Sequence, residues 1–408
     1  MPTIVLTGGG TAGHVIPHLA LLPLLKKHFD KIYYVGRESG IERDLALRHG
    51  IPYRAVPTVK FARGNPLKNL SLPFKLRTGK RAALALLKEL KPDVIFSKGG
   101  FVAVPVVCAA ARLKIPVVSH ESDFSPGLAN RYTARRCKTV CASFENAAAA
   151  FGAKGVFTGA PIRPELYRGN RPAALQELNL PGKKPVLLVT GGSSGAAALN
   201  AAARGALPRL LDQYEIIHLT GKGNLSGNAQ CTMHNTPLKD QSAKKFPSAG
   251  GVDAKCHRHE RTGWPSNDKN TNCALCIVHC ESKNYRELEF TDDMTGMLAA
   301  ADVVVSRAGS NTVFELLALK KPMLLIPLPK GVSRGDQVLN ADYFKRHGLA
   351  RVLRQDALTP DSLVSALDGL FAERERRIAA MKAFPRIDGT ERIFWEIIKA
   401  KDNLKTEN

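Results

Sequence analysis

The segment Thr3-Ile4-Val5-Leu6-Thr7-Gly8-Gly9-Gly10-Thr11-Ala12-Gly13-His14-Val15-Ile16-Pro17-His18 passes from an apolar, β-rich run through glycines into a helical stretch. Strand, glycine turn and helix in that order open a parallel α/β sheet. Glycines let the backbone approach a phosphate, and a helix start offers unpaired N–H groups carrying about half a positive charge. Gly8, Gly10 and Gly13 fit the dinucleotide spacing G-x-G-x-x-G. An NAD site also needs a carboxylate about twenty residues further on to hold the ribose. Here the second strand ends at Val35-Gly36-Arg37 and Glu38 comes late, which counts against a dehydrogenase.

Outward from this unit, β-rich and helical runs alternate: Ile4 to Leu6, Ile32 to Val35, Asp93 to Phe96, Val117 to Ser119, Thr139 to Cys141. The pattern pauses near Gly159-Ala160-Pro161 and resumes with Val186 to Val189, Ile216 to His218, Val303 to Val305 and Leu324 to Ile326. The chain of 408 residues is too long for one ordinary core at roughly 150 residues per domain. Two successive doubly wound α/β domains are therefore expected, residues 1–162 and 163–384, with Pro161 to Leu180 as the linker. Helical patterns from Pro360 to Phe384 and from Thr390 to Ala400 are broken by Pro385 and Gly389, and the terminal helix of 385–408 is expected to pack back on the first domain.

Two more glycine turns follow strands, Lys98-Gly99-Gly100-Phe101 and Gly191-Gly192-Ser193-Ser194-Gly195-Ala196. One such turn is weak evidence, whereas three at strand C-termini all fall on the edge where open α/β sheets bind ligands. Ser306-Arg307-Ala308-Gly309-Ser310-Asn311-Thr312-Val313-Phe314-Glu315 again reads as strand end, cap and helix, with a carboxylate one turn in. Glu315 can accept hydrogen bonds from ribose hydroxyls or merely compensate the helix dipole. Beyond Ile326-Pro327-Leu328, the polar run Ser333 to Asn340 opens another helix and can contact a sugar.

A formal charge of +23 favours phosphorylated ligands, anionic lipid or nucleic acid. Between Asp44 and Glu89 no acidic residue occurs, while basic and apolar residues interleave from Arg54 to Lys88. That mixture suits a surface dipping into anionic headgroups, or a solvated face over ordinary core positions. With no run of eighteen apolar residues and no charged-then-apolar leader, a cytoplasmic protein is expected. Cys108, Cys137 and Cys141 sit in core-like runs and read as small buried apolar residues.

The joint motif set resembles the MurG-type UDP-N-acetylglucosamine transferases. Its markers are Gly8 to Pro17, His120-Glu121-Ser122-Asp123 leading to Pro126 to Asn130, Gly159 to Arg163, Gly191 to Ala196, Phe290 to Met294, and Gly309 to Glu315. The resemblance implies a GT-B fold, two Rossmann-like domains around a cleft, and inverting transfer of GlcNAc from UDP-GlcNAc to the MurNAc 4-hydroxyl of lipid I, giving lipid II for peptidoglycan. It implies no metal for transfer, a peripheral place on the cytoplasmic face of the membrane with residues 54–88 on the anionic inner leaflet, and no nucleic-acid partner. It would set uracil against Phe290 and Thr291, ribose on Glu315, and the diphosphate at Ser193 and the Ser310-Asn311-Thr312 helix start near Arg163. Asp336 and Gln337 would face the GlcNAc hydroxyls, and Thr11, Ala12 and Gly13 the acceptor diphosphate. His14 stands at the reacting centre, as general base or as a structural cap partner, with Asp123 and Glu121 as rival bases.

This sequence departs from the family pattern at Ser122-Asp123, where Gln-Asn is usual, at Asp336-Gln337, where two glutamines are common, and at Ala12, where Gly is usual. Residues 226–281 are surplus and lack any sustained period, yet hold Cys231-x-x-His234, Cys256-His257-x-His259 and Cys273-x-x-Cys276-x-x-His279-Cys280. Zinc, a redox role, or a disordered passenger segment are the readings of that insert. The rival functions are a related transferase on another membrane lipid, a UDP-GlcNAc 2-epimerase, and a basic zinc-containing nucleic-acid binder that would leave the glycine turns idle.

Overall fold

The computed structural model describes residues 1–59, 72–192, 195–226, 230–233, 276–279, 282–331, 335–385 and 387–406, with the side chains of Ala12, 230–233, 276–279 and 403–406 left out. In the first half, β1 (Thr3–Thr7), β2 (Lys31–Gly36), β3 (Tyr53–Ala55), β4 (Val94–Ser97), β5 (Val117–Glu121), β6 (Thr139–Ala142) and β7 (Gly155–Phe157) form one sheet. Its order is β3-β2-β1-β4-β5-β6-β7 and every pairing is parallel. The helices between them are α1 (Ile16–His28), α2 (Ile41–Arg48), α3 (Leu72–Leu90), α4 (Gly100–Arg112), α5 (Leu128–Ala134) and α6 (Glu145–Ala149). Leu21 and Leu25 of α1 pack on one face of the sheet, and Ala83, Leu87, Val106 and Val107 of α3 and α4 on the other. Strands covered on both faces need continuous apolar runs rather than alternation, which is why β1 and β4 are buried at every position.

The second half repeats the plan. Strands β8 (Val186–Thr190), β9 (Glu215–Leu219), β10 (Gln230–Met233), β11 (Cys276–His279), β12 (Tyr285–Leu288), β13 (Val303–Ser306), β14 (Met323–Leu325) and β15 (Ala350–Val352) make the second sheet. Its order is β10-β11-β12-β9-β8-β13-β14-β15, parallel except for the antiparallel β10 and β11 at one edge. Around it lie α7 (Arg171–Glu177), α8 (Ala197–Gln213), α9 (Met294–Ala300), α10 (Ser310–Ala318), α11 (Asp336–Arg346), α12 (Pro360–Ala372) and α13 (Arg374–Ala383); α14 (Thr390–Thr406) ends the chain. In each sheet the strand order reverses at the first strand, between β1 and β4 and between β8 and β13. All three glycine turns and the start of α10 follow those four strands, at the switch points where such sheets take ligands.

Several elements differ from the sequence expectation. Pro161 to Leu180 is no free linker: it folds into a short turn and α7, and Leu166, Ala174, Leu178 and Leu180 are buried in the second core. Strands β3, β7 and β15 are too short to carry a periodic signal. Strand β12 ends at Leu288 and leaves Phe290 beyond it, exposed. The ends of the surplus segment are not structureless, since β10 and β11 extend the sheet from β12, whose open edge supplies a pairing template no local pattern announces.

Helix α14 returns to the first sheet, where Ile393, Phe394, Ile397 and Ala400 join the core of α1. Its entry is pinned by Gly389, whose N–H donates to the Ala160 carbonyl at 2.7 Å; an added Cβ there would stand 2.7 Å from Gly159. Between the sheets, Phe144 packs edge-on against Phe314 at 5.1 Å and Tyr343 at 5.0 Å, so the domains share an apolar seam behind the ligand edges.

His18 on α1, His120 on β5 and His218 on β9 are fully buried. Burial holds them neutral, pushing His18 down to about 3, His218 to about 4, and His120 well below its ordinary value. Unfolded, these rings take up protons near pH 6.5; folded, they do not, so the unfolded state binds more protons and stability falls as the pH drops. From pH 7.5 to 5.5 each is expected to cost about 1.3 kcal/mol, roughly 4 kcal/mol together. Thermal melts across that window should drop by several degrees, and a flat Tm would rule out neutral burial.

Candidate active site

After β1 the chain turns through Gly8 to Gly10 and closes one tight turn at Ala12–His14 before α1. Gly10 has φ +94° and an added Cβ would meet the Phe101 ring at 2.8 Å; Gly100 has φ +76° and would meet the Gly9 carbonyl oxygen at 2.7 Å. Glycine is required at both, because the turn after β1 and the turn after β4 nest against each other. The His14 ring lies over Gly100, and its Nδ1 is 2.8 Å from the Thr11 hydroxyl. The Gly10 N–H donates to Glu42 Oε2 at 3.3 Å, and Glu42 Oε1 pairs with Arg37 at 2.9 Å. A carboxylate does serve this turn, from α2, but it braces the loop itself.

The motif at the end of β5 reaches toward the second domain. Glu121 is buried and accepts from the N–H groups of Asp123 at 3.1 Å and Gly127 at 2.8 Å and from Asn130 Nδ2 at 2.8 Å, so both its oxygens shape the loop. Asp123 Oδ1 accepts from Asn340 Nδ2 at 3.2 Å, and the Phe124 N–H donates to Asn340 Oδ1 at 3.0 Å. Ser125 donates to Asp336 Oδ1 at 3.1 Å. Asn340 also donates to the Ala308 carbonyl at 3.1 Å, so this fully buried amide on α11 clamps loops of both domains.

Facing them is the start of α10. The Ser310 hydroxyl donates to the Ser122 carbonyl, and Asn311 Nδ2 donates to the Gly13 carbonyl at 2.8 Å. Glu315 sits one turn in and holds Arg163 through two contacts, Nε to Oε1 at 2.8 Å and Nη2 to Oε2 at 3.2 Å. Thr312 is half-buried beside them. Gln337 Oε1 accepts from the Leu328 N–H at 3.0 Å. Thr291 is buried with its hydroxyl on the Asp293 N–H at 3.0 Å, while Phe290 is 54% exposed. Arg48 of α2 pairs with Asp292 at 3.8 Å, bringing that loop to the first domain as well.

Gly13 and the Ser122 to Ser125 loop of the first domain thus meet Ser310, Asn311, Asp336 and Asn340 of the second. Ser193 and the side chain of Ala12 lie outside the described residues. So do His234, Cys256, His257, His259, Cys273 and Cys280 of the surplus segment, with only backbone described at Cys231, Cys276 and His279. Among the described residues no group of three or more His, Cys, Asp or Glu side chains could hold a metal ion, and no helix is long and apolar enough to cross a membrane. Sequence reasoning missed Glu42, Lys98 and Asn340. Lys98 left a signal as a lone cation between an apolar strand and two glycines, and Asn340 as the end of the polar run from Ser333.

Two doubly wound sheets with ligand edges facing across one seam define a GT-B glycosyltransferase architecture. The chain belongs to glycosyltransferase family 28, whose N-terminal domain model matches residues 4–142 and whose C-terminal domain model matches 186–245 and 259–393. A Lachnospira eligens protein named UDP-N-acetylglucosamine–N-acetylmuramyl-(pentapeptide) pyrophosphoryl-undecaprenol N-acetylglucosamine transferase is 40% identical over 99% of this chain and 100% of its own. A protein of the same name from Lachnoclostridium phytofermentans is 41% identical over 96% of this chain and 97% of its own. The crystal structure of Acinetobacter baumannii MurG shares the fold with a TM-score of 0.66 at 24% identity, covering 98% of this chain and 100% of that one.

Proposed function

We propose that this chain transfers GlcNAc from UDP-GlcNAc to the MurNAc 4-hydroxyl of lipid I with inversion. The observation that carries the reading is identity of about 40% along the whole chain to transferases named for that reaction. The acceptor oxygen attacks the anomeric carbon from the face opposite UDP, so its proton must leave as the diphosphate gains charge. His14 takes that proton at Nε2, with Nδ1–H donated to the Thr11 hydroxyl fixing the tautomer. Glu121 is committed to three N–H donors and serves the loop, which leaves Asp123 as the competing base. The helix start at Ser310, Asn311 and Thr312, together with Ser193 and Arg163, receives the departing diphosphate without a metal. Glu315 turns from Arg163 to the ribose, Phe290 and Thr291 flank uracil, and Asp336 and Gln337 meet the GlcNAc hydroxyls. Thr11, Ala12 and Gly13 line the acceptor diphosphate.

The lipid acceptor brings the chain to the cytoplasmic membrane face as a peripheral protein. The exposed side of α3 carries Phe74, 76% exposed, among Lys75, Arg77, Lys80 and Arg81, a composition that suits anionic headgroups. Purified protein given UDP-GlcNAc and a lipid I analogue is expected to release UDP in proportion to disaccharide formed. No UDP release would end the proposal, and turnover of UDP-GlcNAc with no acceptor present would favour epimerisation instead.

A further inference from the structure

Lys98 follows β4 at the switch point of the first sheet, and the residue is 2% exposed. Its Cβ is 3.0 Å from where a side chain on Gly8 would begin, so it stands directly behind the phosphate-facing turn after β1. The ammonium donates to the Ser122 hydroxyl, which donates to Asn311 Oδ1 at 3.4 Å; Asn311 in turn donates to the Gly13 carbonyl. One cation is thereby linked through a single small side chain to the seam between the domains. Desolvating an ammonium costs several kcal/mol, and a Ser hydroxyl fills one of its three donor positions. Set behind two glycine turns, this cation has the charge to attract a doubly anionic ligand. The Gly10 N–H, bound to Glu42, does not serve such a ligand. Ser122 is short, and the ammonium bonds to its hydroxyl at the seam.

We propose that Lys98 is a diphosphate-binding residue of the cleft, and that the diphosphate it meets is the acceptor lipid's. This rests on the transferase reading above and assigns to that site a cation the motifs did not mark. The groups facing Lys98 are His18 from α1, His120 and Glu121 from β5, and Asp123 from the following loop. Burial, opposed by Glu121 and Asp123, brings its pKa down to about 8, so its charge is present at neutral pH and lost just above.

The test compares wild type with Lys98→Met and Lys98→Arg, using UDP-GlcNAc and a short-chain lipid I analogue in detergent micelles. Lys98→Met is expected to raise the acceptor KM about ten- to a hundredfold, the worth of one charged hydrogen-bonding contact, with the UDP-GlcNAc KM unchanged and Lys98→Arg in between. In wild type, kcat/KM for the acceptor should fall above about pH 8 while kcat/KM for UDP-GlcNAc does not. That second readout stands even if Lys98→Met folds poorly. An unchanged acceptor KM, an effect on the UDP-GlcNAc KM alone, or a loss confined to kcat overturns the assignment. If wild type itself releases no UDP, the transferase reading has failed instead.

Discussion

Replacing His14 by alanine is expected to lower kcat about a hundred- to ten-thousandfold, the range spanned by a positioned general base, while UDP-GlcNAc still stabilises the protein against heat. The imidazole sits at the end of a glycine turn braced by Glu42 from below, by Gly100 on one side and by the Thr11 hydroxyl at Nδ1. The brace from Glu42 is to the Gly10 N–H and not to the ring, so the turn keeps it in the variant and the loss should fall on the chemical step. Steady-state kinetics with saturating donor give the first number and a thermal shift with UDP-GlcNAc the second. Asp123→Asn is the companion variant: Asp123 is tied to Asn340 across the seam, and its removal should act on KM more than on kcat. If Asp123→Asn costs more in kcat than His14→Ala, the base is Asp123.

Glu315→Ala should carry the largest binding effect, a loss of UDP-GlcNAc affinity of about a hundredfold or more, as expected when a carboxylate that accepts two ribose hydroxyls is removed. It should also destabilise the protein by about 3–5 kcal/mol, since the Arg163 guanidinium would be left without its two carboxylate contacts in a largely buried site. The two consequences separate in the pair Glu315→Gln with Arg163→Met. Removing both charges should return most of the stability, because no unpaired ion remains, but none of the nucleotide affinity. Calorimetric Tm and UDP titration measure the two independently. A Glu315→Ala protein that binds UDP-GlcNAc as wild type does would show that the carboxylate serves only to hold Arg163.

The glycine turns were legible because their spacing reports a backbone requirement: at Gly10 and Gly100 the positive φ and the close approach admit no side chain. The long apolar strands were legible for a similar reason, since burial on both faces demands uninterrupted β-branched and aliphatic runs. Local patterns failed where the partner decides the structure. Asn340 closes the polar run that began at Ser333, which does not announce that its amide joins Phe124, Asp123 and Ala308 from two domains. Glu42 has no motif around it and is fully buried against Gly10. The segment after Pro161 looked like a linker because Pro, Arg and Asn dominate it, but Leu166, Leu178 and Leu180 give it a place in the second core.

By itself the sequence determined the two doubly wound sheets and the glycine turns and helix starts at their strand ends, because each is set by chain-local needs: apolar continuity, glycine freedom and helix starts. Only the tertiary structure decided that Arg163 and Glu315 satisfy each other, that Glu121 is consumed by its own loop, and that Lys98 stands behind Ser122 at the seam. Those pairings join residues as much as 152 positions apart, and their energy comes from desolvation and mutual geometry that exist only once the elements carrying them are packed.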